Sequence, residues 1–242
     1  MVPFPPAVED LVAVRKALVC IMPMELVYVV LHLAEYWVED TTERTESHRV
    51  SASATPGNSA SSYSLVTAPI RELDAEDIHL KIMRVKFTTV SHDQGLGWGG
   101  EPSTEGTYRG WTWFEAAILR RSQVVPRVLS LDTWMSNATH GVIPMDASVG
   151  YDPAAELKDS TGKSRWNVQR NVTASNQFRE HTVTWEADGS VAPATDSGAG
   201  DGANFLEQLS PGDAIAVVAR ALYPGWCNYV DRVKVTVYYS LA

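Results

Sequence analysis

Within Ser91-His-Asp-Gln-Gly-Leu-Gly-Trp-Gly-Gly100 an acid, an amide and an indole stand close together on a glycine-rich backbone. Glycine lets the main chain approach a bound group, Asp93 and Gln94 supply acceptors and donors, and Trp98 offers an apolar face. A sugar or similar polar ring is held by that combination. The alternative is a tight turn in which Asp93 accepts from nearby backbone amides. A second cluster, Tyr223-Pro-Gly-Trp-Cys-Asn-Tyr229, presents Trp226 and Asn228 at a strand end, where loops of sandwich folds gather; its alternative is a packed hairpin corner. The binding expectation places Asp93, Gln94, Trp98, Trp226 and Asn228 around one water-accessible hollow.

Two charged residues stand in otherwise apolar runs. In the strand from Trp111 to Leu119, Trp111, Trp113, Glu115, Ala117 and Leu119 share one face and Thr112, Phe114, Ala116 and Ile118 the other, a pattern that fits a central strand packed on both sides with its indoles in the core. Glu115 then needs a partner or a shifted pKa. Arg220, inside the apolar run Ala214 to Leu222, poses the mirror problem, and the two are expected to pair. Both join the candidate ligand-binding set. An enzymatic alternative uses His181 with Asp93 or Glu115 as acid and base, which requires the fold to bring them together; a lone strand histidine is more often structural.

Other chemistry finds little support. The histidines are scattered, no pair sits at metal-ligand spacing, and neither metal nor cofactor is expected. Gly198-Ala-Gly-Asp-Gly202 has a phosphate-loop look without its spacing or its βαβ context, and no Gly-x-Ser-x-Gly elbow is present. Twenty Lys and Arg against 29 Asp and Glu leave a net charge of −9, so nucleic acid and anionic membranes are not expected partners. Cys20 and Cys227 provide no disulfide framework, and Met1-Val-Pro-Phe-Pro-Pro is not a secretory start; a cytoplasmic or nuclear location is expected.

The elements that must position these residues fall into three blocks. Residues 1–40 are read as helical, with helices over 7–20 and 23–38 separated by Pro23. In the second, Glu25, Tyr28, His32 and Glu35 form a narrow polar stripe, and the remainder is apolar over more of the circumference than one contact needs. One of its two implied contacts can be intermolecular. Residues 41–64, rich in Ser and Thr, read as a polar linker or long loop. From 65 to 242 the pattern is that of strands, clearest where Val233, Val235, Val237, Tyr239 and Leu241 alternate with polar neighbours. Further strands are expected at 79–91, 111–120, 181–187 and 214–222, weaker ones near 47–53, 63–68 and 126–134, long polar inserts at 144–164 and 187–203, and a short helix at 203–209. The fold class is mainly β: an antiparallel, jelly-roll-like β-sandwich with a short α-helical N-terminal segment.

Met22-Pro23-Met24-Glu25-Leu26, with Val30-Leu31 and Ala34-Glu35-Tyr36-Trp37, resembles the first helix of an F-box, whose hallmark is Leu-Pro-x-Glu-Leu; here Met22 replaces the leading Leu. That resemblance implies binding to a Skp-type adaptor. Residues 93–100 (with Leu96 inserted), 111–116 and 219–226 resemble the Asp-Gln-Gly-Trp-Gly-Gly, Trp-Thr-Trp-Phe-Glu-Ala and Ala-Arg-Ala-x-Tyr-Pro-Gly-Trp phrases of a group of fungal β-sandwich proteins, which brings kinship without an activity. The architecture is similar to that of sugar-binding F-box proteins and phloem-type lectins, by analogy only.

The expected function is thus a binding module for a polar small molecule or glycan, with the N-terminal helix pair, through residues 23–38, recruiting a Skp-type adaptor or a second copy. The alternatives are the His181 enzyme and a purely structural or interaction protein whose indoles are all core.

Overall fold

The computed structural model describes residues 5–54, 57–71, 79–95, 106–120, 156–158, 161–189 and 198–241. Trp98, the expected strand at 126–134 and most of the insert at 144–164 lie outside them.

Alternating side chains build two antiparallel sheets. One contains β1 (Val38–Arg44), β2 (His48–Ser51), β4 (Leu80–His92), β7 (Arg179–Glu186) and β9 (Cys227–Leu241), in the order β1-β9-β4-β7 with β2 also on β9. The other runs β3 (Ser59–Val66), β8 (Ala214–Leu222), β5 (Thr112–Leu119), β6 (Trp166–Arg170). Packed face to face they form a β-sandwich. Val233, Val235, Val237 and Tyr239 of β9 turn inward as their period of two requires, meeting Phe114, Ala116 and Ile118 of β5 and Ile215, Val217 and Ala219 of β8.

Residues 41–64 are not a linker. Most of their Ser and Thr residues belong to β1, β2 and β3, strands polar enough to look like a loop because much of their length is half-exposed. Strand β6 carried too few residues to show a period.

One edge of the core is closed by aromatic rings. Phe205 in α3 (Phe205–Gln208) is fully buried between Trp166 and Trp185, with centroids 5.1 and 4.9 Å away. Both indole N–H groups are satisfied by carbonyls of the segment leading into this helix: Trp166 Nε1 donates to Ala203 O at 3.0 Å and Trp185 Nε1 to Gly200 O at 2.9 Å. The glycines of Gly198–Gly202 serve this packing. A Cβ on Gly200 would sit 1.8 Å from Asn167 O, and one on Gly202, at φ +62°, 2.2 Å from the Trp185 ring.

The helices are α1 (Val8–Val19) and α2 (Met24–Leu33), the second beginning directly after Pro23. The helix expected to reach residue 38 stops at Leu33. Glu35 adopts φ +45°, and Trp37 and Val38 turn onto the sheet, where Arg84 lies 4.8 Å from the Trp37 ring while bonding Glu35 and Glu186. Leu11, Val27 and Leu31 are buried with Val38 and Leu241, so the helix pair docks on the five-stranded sheet through one face of α2. Among the described residues no helix is long and apolar enough to cross a membrane.

Candidate functional site

The two expected ligand loops do meet, because β4 and β9 pair as far as His92 and Tyr229 and carry both segments to one end of the sandwich. Their polar groups, however, are taken up by the protein's own backbone and side chains. Gln94 Oε1 accepts from Cys227 N at 3.3 Å. Asp93 is fully buried; Oδ1 accepts from Gly95 N at 2.8 Å and Oδ2 from Ala174 N at 2.6 Å. Burial pushes its carboxyl pKa up, against the backbone amides of Gly95, Ala174 and Ser175, which favour the ionised form. This is the turn-capping arrangement.

Asn228 is fully buried as well. Its Nδ2 donates to the carbonyls of Trp113 and Arg220, its Oδ1 accepts from Asn171 Nδ2 at 2.9 Å, and Asn171 also bonds Thr112 Oγ1 and Ser91 Oγ. These groups tie β4 and β9 of one sheet to β5 of the other through a satisfied polar network. Trp226 is buried beside them. Asp93, Trp226 and Asn228 therefore hold this end together and do not line an open hollow.

Glu115 and Arg220 lie elsewhere, on the outer face of the four-stranded sheet. Phe114, Ala116 and Ile118 take the core side of β5, which turns Trp111, Trp113 and Glu115 outward. The indoles expected in the core are thus on the surface: Trp113 is half-buried, Trp111 39% exposed. Further along the strand Ala117 and Leu119 are buried on this outer side too, so the two-sided pattern holds only for that half of β5.

Cross-strand register sets the geometry. Arg170 of β6, Trp113 of β5, Arg220 of β8 and Ser61 of β3 form one row, with the two guanidiniums 5.6 and 5.5 Å from the Trp113 ring centroid. Trp113 Nε1 donates to Glu115 Oε1 at 2.9 Å, and Glu115 Oε2 lies 3.4 Å from Arg220 and 3.5 Å from Arg165. The expected pairing of Glu115 with Arg220 is present, with Arg165 as a partner that the sequence did not suggest. Arg165 in turn grips Glu156 at 2.7 Å, and Tyr63 donates to Glu156 at 2.6 Å. Burial works to raise the Glu156 carboxyl, but bonds from Arg165, Tyr63 and Ser164 outweigh it and hold the pKa below the usual range.

Exposed aromatic surface flanks the row in the strand direction. Trp111 and Tyr223, the latter 43% exposed, meet edge to face at 4.8 Å beside this row. Arg170 donates to Gly110 O but has no carboxylate partner among the described residues, and Arg220 Nε is buried without any partner. Three guanidiniums, Arg165, Arg170 and Arg220, thus face two carboxylates, Glu115 and Glu156. Tyr63, Arg165, Arg170 and Glu156 were missed because their proximity arises from strand register, not from spacing along the chain.

No family model matches this chain. No curated protein is similar to it either.

His181 does not join the other expected acid and base groups. It shares the inward side of β7 with Val183 and Trp185, whereas Glu115 faces outward from the opposite sheet, and both Asp93 oxygens are taken by backbone amides. Its ring packs edge-on against Tyr108, and Nδ1 is buried without a partner. One Ser–His contact does exist: His48 Nε2 lies 2.9 Å from Ser64 Oγ. Ser64 is only 1% exposed, however, so its hydroxyl cannot meet a substrate.

Proposed function

We propose that the chain is a ligand-binding β-sandwich module that holds a polar ring bearing an anionic group, an acidic sugar being the class that fits, on the outer face of its four-stranded sheet. The observation that carries this reading is the row Arg170–Trp113–Arg220 flanked by the exposed Trp111–Tyr223 pair. Aromatic faces stack on the apolar side of a ring, and planar guanidiniums take a carboxylate or sulfate through paired hydrogen bonds. The chain as a whole carries −9, yet among the described residues this surface holds one more guanidinium than carboxylate, which favours an anion here over the rest of the molecule. The N-terminal helices serve as a protein-interaction element.

Titrating acidic and neutral oligosaccharides of matched size while following tryptophan fluorescence tests the reading. Acidic members are expected to change the emission, with an affinity that falls as salt rises, and Trp111→Ala and Arg170→Ala to weaken binding about tenfold each. Response to no member of the panel, or affinities unchanged in both variants, overturns it.

A further inference from the structure

We infer that two copies of this chain associate through the face of α2 turned away from the fold, the two helices lying antiparallel about a twofold axis. The face consists of Leu26, Val29, Val30 and Leu33, all exposed, with Ile21 and Val19 extending it; Ile21 and Leu33 are each 77% exposed. It is independent of the ligand surface.

Three features select a second copy as the occupant. The intramolecular contact of α2 is already made by Val27 and Leu31, so the apolar residues on its other side do nothing for the fold of one chain. Their spacing is i, i+3, i+4, i+7, a continuous stripe on a helix, and the residue types read the same in both directions: Leu, Val, Val, Leu. A twofold axis between Val29 and Val30 sets Leu26 against the partner's Leu33 and the small valines against one another, the self-complementarity that an isologous interface requires. An unrelated partner would place no such demand on the sequence.

The area is sufficient. The six side chains expose roughly 600 Å² per chain, at the upper end of the largest patch on an ordinary monomer, and the two faces together reach the lower end of a specific interface, about 1,200 Å². A contact at that lower limit predicts a reversible dimer in concentration-dependent exchange with the monomer.

Sedimentation equilibrium of the full chain from about 1 to 100 µM, a span that covers weak specific dimers, tests the association. A concentration-dependent shift from monomer to dimer is expected for the natural sequence, and monomer throughout for Leu26→Glu and Leu33→Glu, with thermal midpoints and circular dichroism unchanged because both side chains are exposed. In a Cys20→Ser background, Val29→Cys, next to the axis, is expected to form an intermolecular disulfide on mild oxidation, whereas Glu9→Cys on α1 is not. A chain that stays monomeric and leaves Val29→Cys uncoupled overturns the inference; association with a Skp-type adaptor by such a monomer would then assign the face to that partner.

Discussion

Arg220 stands directly opposite Trp113 across the β5–β8 ladder, with its guanidinium 5.5 Å from the indole centroid and 3.4 Å from the Glu115 carboxylate that the same indole bonds. The contact is planar on both sides. Arg220→Lys keeps the charge but loses the flat fork, so it is expected to weaken binding of an acidic ligand nearly as much as Arg220→Ala, about three- to tenfold, and to alter Trp emission in the free protein. Affinity preserved in the Lys variant would show that charge alone matters there.

Folding stability should fall on mild acidification. Burial, with Arg44 nearby, pushes the His48 pKa down to about 4, below the 6.5 of an unfolded histidine. Between those values the unfolded chain binds a proton that the fold refuses, so stability drops as pH falls through this window and levels off beneath it. After allowance for partial solvent screening the loss is about 2 kcal/mol from this residue. Burial pushes His181 in the same direction, while Asp93, raised by burial, takes up its proton more readily in the fold and opposes the loss at the acid end. Urea denaturation at pH 7.5 and 4.5 should show a smaller difference for His48→Gln than for the natural chain; an identical difference would exclude His48 as a source.

The buried network at the β4–β9 end predicts destabilisation without loss of the ligand surface. Asn171→Ala leaves Asn228 Oδ1, Thr112 Oγ1 and Ser91 Oγ short of partners, and Asp93→Ala frees two amides near Gly95 and Ala174. Each is expected to cost about 2–4 kcal/mol in chemical denaturation. Values below 1 kcal/mol would mean that water replaces the missing groups.

Two glycines separate crowding from backbone strain. At Gly212 an added Cβ meets nothing within 4 Å, so Gly212→Ala suffers only from φ +84° and is expected to cost about 1–2 kcal/mol. Gly200→Ala drives its methyl into Asn167 O, on the backbone of β6, and is expected to cost more than about 3 kcal/mol or to prevent folding. Similar midpoints for the two variants would contradict the close packing of 198–202 on β6.

The legible parts of the sequence were those where one face is apolar and the other polar. β8 could be read to the residue, since Ala214 to Leu222 bear a single charge, and so could β9 from Val233 to Leu241, where alternation is strict; its start at Cys227 looked like part of a turn. β1 could not: Glu39 and Asp40 fell at the end of the helical block and Thr41 and Thr42 looked like loop, because this strand borrows its stability from pairing with β9. The ligand surface was half legible. Glu115 and Arg220 stood out as charges in apolar runs, but Trp113 looked like core because Ala117 and Leu119 on its own face are buried. Asp93 and Asn228 looked like ligand groups because a polar residue in a glycine-rich turn reads the same whether it binds a guest or the neighbouring main chain.

The strand order has a consequence for biosynthesis. β9 joins β1, β2 and β4, and β8 lies between β3 and β5, so both keystones leave the ribosome after every neighbour they unite. Until then five of the earlier strands wait with open edges, and neither layer can close from its own beginning. Nascent chains arrested before Ala214 should engage holding chaperones and resist compaction, and maturation should come as one late, cooperative step once β9 has emerged.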